Sequence, residues 1–331
     1  ANRRGRTRML IKEHVNPAGL ARARALLEEA VPTSEKEASR MKIFAEALSG
    51  VTQHTRTVLY DVPPSDPSGT HRLGRLCAMR PSGQNMPREL RALLYCDCFD
   101  IDVSNCQPAL LSQLQQGRRC KSLLKYIDNR DKVLADLVEF HGLTDLNYEG
   151  EAKEMSKNLF ISIMFGGSYE AWLHARGKDP LMEPRLPLAK RFEDEVRNAH
   201  MQIVEDFKDN EVVVAYRRKL TRCGKSTEEA SRSVVALILQ DLERQVLQCM
   251  LDSLSSFPGV KPNVLLHDGC FVRTDAKTLP VDLLPALERD IANKTGFVLT
   301  LKLKPLWADP MSLSLPLSRP TDNAAAHART R

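Results

Sequence analysis

The stretch YCDCFDIDVSNCQPALL, residues 95–111, decides the fold. Its first half alternates apolar and polar side chains, the period of a half-buried strand, so residues 93–103 are predicted to be extended. Pro108 then fits the first turn of a helix. Asp102 stands at the junction, an acid that ends a hydrophobic run. Asp268 is placed alike. NVLLH, Asp268-Gly269 and CFVRT, residues 263–274, read as a hairpin with this acid at the strand-to-turn position. If the two strands are central neighbours, both carboxylates reach one sheet edge. Either aspartate alone reads equally well as a turn cap. Asp100 shares the alternating face of Asp102 and stays open as a ligand or an accessory carboxylate. Paired carboxylates suit Mg²⁺, which takes oxygen ligands and bridges protein acids to substrate phosphates. The backbone carbonyl of Val103 can add another oxygen.

Between the acids, residues 151–165 read as a helix with Lys153 and Lys157 one turn apart and Phe160, Ile161 and Met164 on an apolar side. It closes on Phe165-Gly166. Cations that clamp a triphosphate and a platform for its base are one reading. Solvated lysines with Phe165 in the core are the other. Elsewhere, residues 18–48 have helical spacing, broken at Pro32 and restarted at Thr33-Ser34-Glu35. Residues 51–60 suit a strand, and a loop dense in Pro63, Pro64, Pro67 and Gly69 follows. RLGRLCAMRPSGQNMPREL, residues 72–90, is polar enough to be predicted outside the core. Helices are expected over 188–209 and 227–254, a turn at Pro258-Gly259, then helix 279–293 and strand 297–303. The pattern fades from Pro305 and ends in a loose tail. The fold class is α/β in the α+β sense.

The 331 residues are 42% hydrophobic, which supports a folded chain. Forty-eight Lys+Arg against 42 Asp+Glu give +6, a balance that favours a polyanionic partner. ANRRGRTRMLIK holds no acid before Glu13, and Gly117–Lys125 carries four cations. That start reads as an arm on a phosphate backbone or the remnant of an organellar signal. Of eight cysteines, Cys96 and Cys98 make a CxC pair with no matching pair to close a zinc site. Free thiols in an intracellular, reducing compartment (nuclear, organellar or virus-associated) are expected. No run approaches a membrane span and no apolar leader is seen.

Four islands resemble, in order, the signature motifs of the Pol I-like (family A) DNA polymerases, relatives of the single-subunit phage-type RNA polymerases. GRLCAMRPSGQNMP, residues 74–87, looks like the stretch near the primer-template minor groove, with Arg75, Gln84 and Asn85 at its polar positions. DVSNCQPALL, from Asp102, is similar to the first palm motif. KEMSKNLFISIMFGG, from Lys153, is similar to the fingers helix, and LLHDG to the final palm motif. The resemblance implies a right-hand polymerase fold with an antiparallel-sheet palm, helical fingers and an abbreviated thumb. It places an N-terminal helical region and reduced thumb in 1–70, the first palm part and the start of the fingers in 71–150, fingers in 151–225, the second palm part in 226–310 and a flexible tail in 311–331, with Trp307 on a closing strand.

By the same resemblance two Mg²⁺ ions, with Mn²⁺ able to substitute, sit on Asp102, Asp268 and the Val103 carbonyl. Lys157 and Lys153 meet the triphosphate, and Phe165, Gln107 and Ile161 line the nucleotide site. Arg75, Gln84, Asn85 and His267 position primer and template, with Arg232 and Gln240 as contacts from the long helix. The implied activity is primer extension with dNTPs, without a proofreading exonuclease. Gln107, Phe165, Ile161 and Gly269 depart from the family pattern at positions tied to sugar choice and the second acid. RNA polymerase or primase activity, a silent nucleic-acid-binding scaffold and a nuclease using the same two-metal logic are the alternatives. Partners are primer-template, nucleoside triphosphates and a helicase, primase or processivity factor of a viral, plasmid or organellar replicase.

Overall fold

A computed structural model describes residues 7–304 except 33, 67, 116–119, 146–149 and 277. The chain starts β1 (Arg8–His14), α1 (Pro17–Glu29), α2 (Glu35–Ser49), β2 (Thr55–Asp61) and β3 (Cys77–Ala78). Next come α3 (Arg88–Leu94), β4 (Phe99–Val103), α4 (Cys106–Leu114), α5 (Lys121–Asp128) and α6 (Arg130–His141). A helical stretch follows, with α7 (Glu151–Met164), α8 (Tyr169–His174), α9 (Pro187–Asp206), α10 (Glu211–Arg222) and α11 (Thr227–Leu254). The hairpin β5 (Val260–Leu265) and β6 (Gly269–Thr274), then α12 (Leu283–Thr295) and β7 (Leu301–Lys304), complete the described residues.

Two antiparallel sheets result, ordered β1-β2-β3 and β5-β6-β4-β7. In the second, period-2 alternation sorts side chains to opposite faces. Ile101, Val103, Cys270, Val272 and Leu301 enter the larger core with α4, α11 and α12. Asp100 and Asp102 alternate with them and take the other face. Val264 and Phe271 close a smaller core with α1, α2 and α3. The hairpin thus separates two cores, which fixes the turn bearing Asp268.

The sheets meet through polar contacts. Asn263 exchanges hydrogen bonds with the His14 backbone at 2.6 and 2.9 Å. Beneath them lies Glu13, fully buried on β1. It accepts from Arg56 Nε at 2.7 Å, Tyr60 OH at 2.6 Å, Tyr95 OH at 2.8 Å and Gly83 N at 3.2 Å. A buried ion pair holds only when its remaining polar atoms are satisfied, and this carboxylate has four donors.

Several expectations are corrected. Residues 93–98 are not extended: Leu93 and Leu94 finish α3, the chain turns, and the strand starts at Phe99. A short apolar run fits helix or strand, and here it packs on α1. The polar loop 72–90 is not outside the core. Leu76, Ser82, Met86 and Leu90 are buried, because Glu13 pins the 3₁₀ turn Gly83–Asn85. Strands β1 and β3, helices α5, α6, α8 and α10, and α3 up to Ala92 lie where no regular element was expected. The strand placed at 51–60 is Thr55–Asp61, and that at 297–303 is Leu301–Lys304. The helices placed at 188–209 and 279–293 are Pro187–Asp206 and Leu283–Thr295. Thr33, Trp307 and the tail fall outside the described residues. Among the described residues no helix is long and apolar enough to cross a membrane, and all eight cysteines are free thiols.

Candidate active site

Asp102 and Asp268 meet because β4 and β6 are neighbours. Asp102 pairs in register with Gly269, and the Val103 amide donates to the Asp268 carbonyl at 3.0 Å. The approach is too close for a side chain at 269. A Cβ there would lie 2.1 Å from the Ile101 carbonyl oxygen, inside van der Waals contact. Gly269 therefore lets the second acid sit against the first.

These carboxylates line a cavity of about 740 Å³. Asp100, Asp102, Lys302 and Lys304 come from the sheet. Cys106 and Gln107 come from α4, and Lys157, Ile161, Met164 and Phe165 from α7 and its end. Arg75, Arg91 and Glu243 complete the wall on other elements. Four acids, Asp100, Asp102, Asp268 and Glu243, share the wall with seven cations, among them Arg88 and Arg130. Burial raises the pKa of Asp102, the charge of Asp268 raises it further, and Lys304 opposes both. Asp100 is pushed up to about 6, first by burial, with Lys304 opposing and Asp102 adding. Its Oδ1 is buried without a hydrogen-bond partner. Glu243 is raised by burial, against which Arg75 acts most.

Of the residues singled out from the sequence, Asp102, Val103, Gln107, Lys157, Ile161, Phe165, Asp268 and Arg75 share this wall. Lys157 is held by Glu154 at 3.0 Å. Arg75 is bound bidentately by Glu243, at 2.5 and 3.2 Å, and Gln107 donates to the same carboxylate at 3.4 Å. The other six are not on the cavity wall. Lys153 pairs with Asp131 at 2.8 Å on the open surface. Gln84 braces the backbone, donating to the Leu76 and Leu265 carbonyls and accepting from Ala78 N. Asn85 donates to the Arg80 carbonyl. Arg232 lies across Gly166 and donates to its carbonyl at 2.9 Å. Gln240 reaches the Gly74 turn, and His267 precedes Asp268 in the β5–β6 turn.

Glu243, Arg91, Lys302 and Lys304 were not singled out. The signal for the lysines was the alternation LKLK, which places two cations on one face of a strand. Glu243 gave only a single acid on the mostly apolar side of α11.

The oxygen donors suit a hard divalent cation, and beside Asp102 and Asp268 the Oδ1 of Asp100 has no hydrogen-bond partner. Among the described residues, however, no three His, Cys, Asp or Glu side chains converge as a ligand set. Mg²⁺ sites often use one or two carboxylates, with phosphates and water supplying the rest, so the pair fits that pattern.

No family model matches the chain, and no curated protein does. Among solved structures the fold is similar to the POL domain of Pol1 from M. smegmatis in complex with DNA primer-template and dNTP. The TM-score is 0.57 at 12% identity, over 82% of this chain and 51% of that one. This chain shares the fold of a Pol I polymerase domain. It spans about half the length of that structure.

Proposed function

We propose that the chain is a template-directed nucleotidyltransferase, a DNA polymerase that extends a primer 3′-hydroxyl with dNTPs. The observation that carries this reading is the meeting of Asp102 and Asp268 in one cavity, faced by Lys157, Ile161 and Phe165. The fold likeness supports it. On this reading β4–β7 form the palm, α7–α10 the fingers, and the first seventy residues the reduced thumb.

Asp102, Asp268 and the Val103 carbonyl would hold two Mg²⁺ or Mn²⁺ ions, which activate an attacking hydroxyl and neutralise a leaving pyrophosphate. The remaining work belongs to the chain. Lys157 exchanges Glu154 for the triphosphate, a low-cost move because partly exposed pairs are worth about 0–1 kcal/mol. Lys153 reaches the same phosphates only by leaving Asp131. Phe165 and Ile161, both partly exposed at the end of α7, give the base a flat apolar contact. Arg75, fixed by Glu243, faces the sugar and the primer end, with Gln84, Asn85, His267, Arg232 and Gln240 supporting primer and template.

A second reading, NTP incorporation or priming, is favoured by Gln107. Its neutral amide, hydrogen-bonded to Glu243, can face a ribose 2′-hydroxyl without charge. Extension assays with dNTPs or NTPs, with and without primer, decide between the two. D102A and D268A should each abolish extension and pyrophosphate release while leaving DNA affinity largely intact. Normal extension by either variant refutes the assignment, and template degradation without nucleotide incorporation would make the protein a nuclease.

A further inference from the structure

Strand β7 pairs with β4 so that Asp100 opposes Lys304 and Asp102 opposes Lys302. Residues directly opposite on antiparallel strands project from the same face, so two amines stand over the acids of the cavity. Lys304 Nζ donates to Asp102 Oδ1 at 2.6 Å, and Lys302 Nζ lies 4.0 Å from Oδ2. Both Asp102 oxygens therefore face an ammonium.

The partners are unequally placed. The Asp102 side chain is 5% exposed, those of Lys304 and Lys302 40% and 46%. A buried carboxylate cannot be left without a positive partner, whereas a long, half-exposed lysine can swing into water at little cost. A divalent cation and the Lys304 ammonium compete for the charge and lone pairs of Oδ1 and repel one another, so each weakens the binding of the other.

We propose that Lys304, seconded by Lys302, is a resident counter-ion of the carboxylate pair. It neutralises Asp102 when no divalent ion is bound and is displaced as one binds. Since both lysines line the cavity, the displaced ammonium finds its next anion in the polyphosphate of the incoming nucleotide. The free protein thus binds divalent ions weakly, and ion and nucleotide enter together. This inference rests on the reading of Asp102 and Asp268 as metal ligands.

The test is a titration of the full chain with Mn²⁺ alone, following the electron paramagnetic resonance signal of the free ion. Lys304→Met should bind Mn²⁺ roughly five- to ten-fold more tightly than wild type, the scale of one charge-assisted, partly exposed pair. Lys304→Arg, which keeps the charge, should stay near wild type. With dNTP present, wild-type affinity for Mn²⁺ should rise more than that of Lys304→Met. Unchanged or weaker binding by Lys304→Met overturns the proposal, as does equal tightening by Lys304→Arg. Asp102→Asn and Asp268→Asn separate the two failures. If both lose Mn²⁺ while Lys304→Met matches wild type, the counter-ion idea alone fails. If both bind Mn²⁺ like wild type, the metal reading fails with it.

Discussion

Glu13→Gln removes one charge from a buried polar cluster and almost nothing from its shape. The guanidinium of Arg56 would keep its bond to the Ala47 carbonyl at 3.1 Å and its contact with Tyr95 OH, but lose the carboxylate now at 2.7 Å. Breaking a buried pair from one side costs about 3–5 kcal/mol, because a charge is left without compensation. Glutamine still meets some of the four donors, so it belongs near the lower figure and Glu13→Leu near the upper. At ~2.1 cal/mol/K of unfolding entropy per residue, a chain of 331 residues has about 0.7 kcal/mol/K. The expected fall in Tm is therefore roughly 4 °C for Glu13→Gln and 7 °C for Glu13→Leu. Calorimetric melts at pH 7 measure both. A double mutant with Arg56→Met should lose less than the sum of its parts, since each change removes the same pair. A Tm within about 1 °C of wild type for Glu13→Gln, or strict additivity, would refute the argument that this carboxylate neutralises Arg56.

Gly269→Ala pushes a methyl group against the Ile101 carbonyl, so β4 and β6 must part; a loss of about 1–3 kcal/mol is expected in denaturant melts, and wild-type stability would contradict the close approach. His200 is pushed down to about 4, chiefly by burial and further by Arg232, so it is neutral when folded and titrates near 6.5 when unfolded. Its contribution is present above pH 6.5 and lost as pH falls toward 4, about 3 kcal/mol in all. His200→Gln should flatten the acid side of a stability-against-pH curve over that window, and an unchanged slope would count against the buried neutral imidazole.

Helix α11 was readable because its signals are local: Ser226 and Glu229 form a capping box and an apolar stripe follows. The hairpin was readable for the same reason, its turn marked by Asp268-Gly269 between two apolar runs. Leu93 and Leu94 misled because a short apolar run has no period to distinguish helix from strand. Glu13 stood out only as the first acid, and Glu243 and Lys304 not at all, because each acquires its meaning from a partner far along the chain. Glu13 occupies a position that alternates with Ile11 toward the core, where an apolar residue is the ordinary occupant. No nearby residue announces Arg56, Tyr60, Tyr95 and Gly83 as its donors. The pairing of Asp102 with Asp268 could be inferred, since both end apolar runs, but the lysines opposite Asp102 depend on which strand takes the last place in the sheet.

Because Asp102 and Lys304 are 202 residues apart, β4 leaves the ribosome well before the strand that closes its outer edge. At 5–20 residues per second the interval is about 10–40 s, and β6 also arrives late in it. Throughout, β4 is a nascent strand with open hydrogen-bonding edges, the kind of segment that recruits other chains into aggregates. Asp100 and Asp102 alternate along it and make such pairing costly through charge repulsion. Asp100 and Asp102 would thus act as gatekeepers of synthesis, guarding the strand until its own partners emerge.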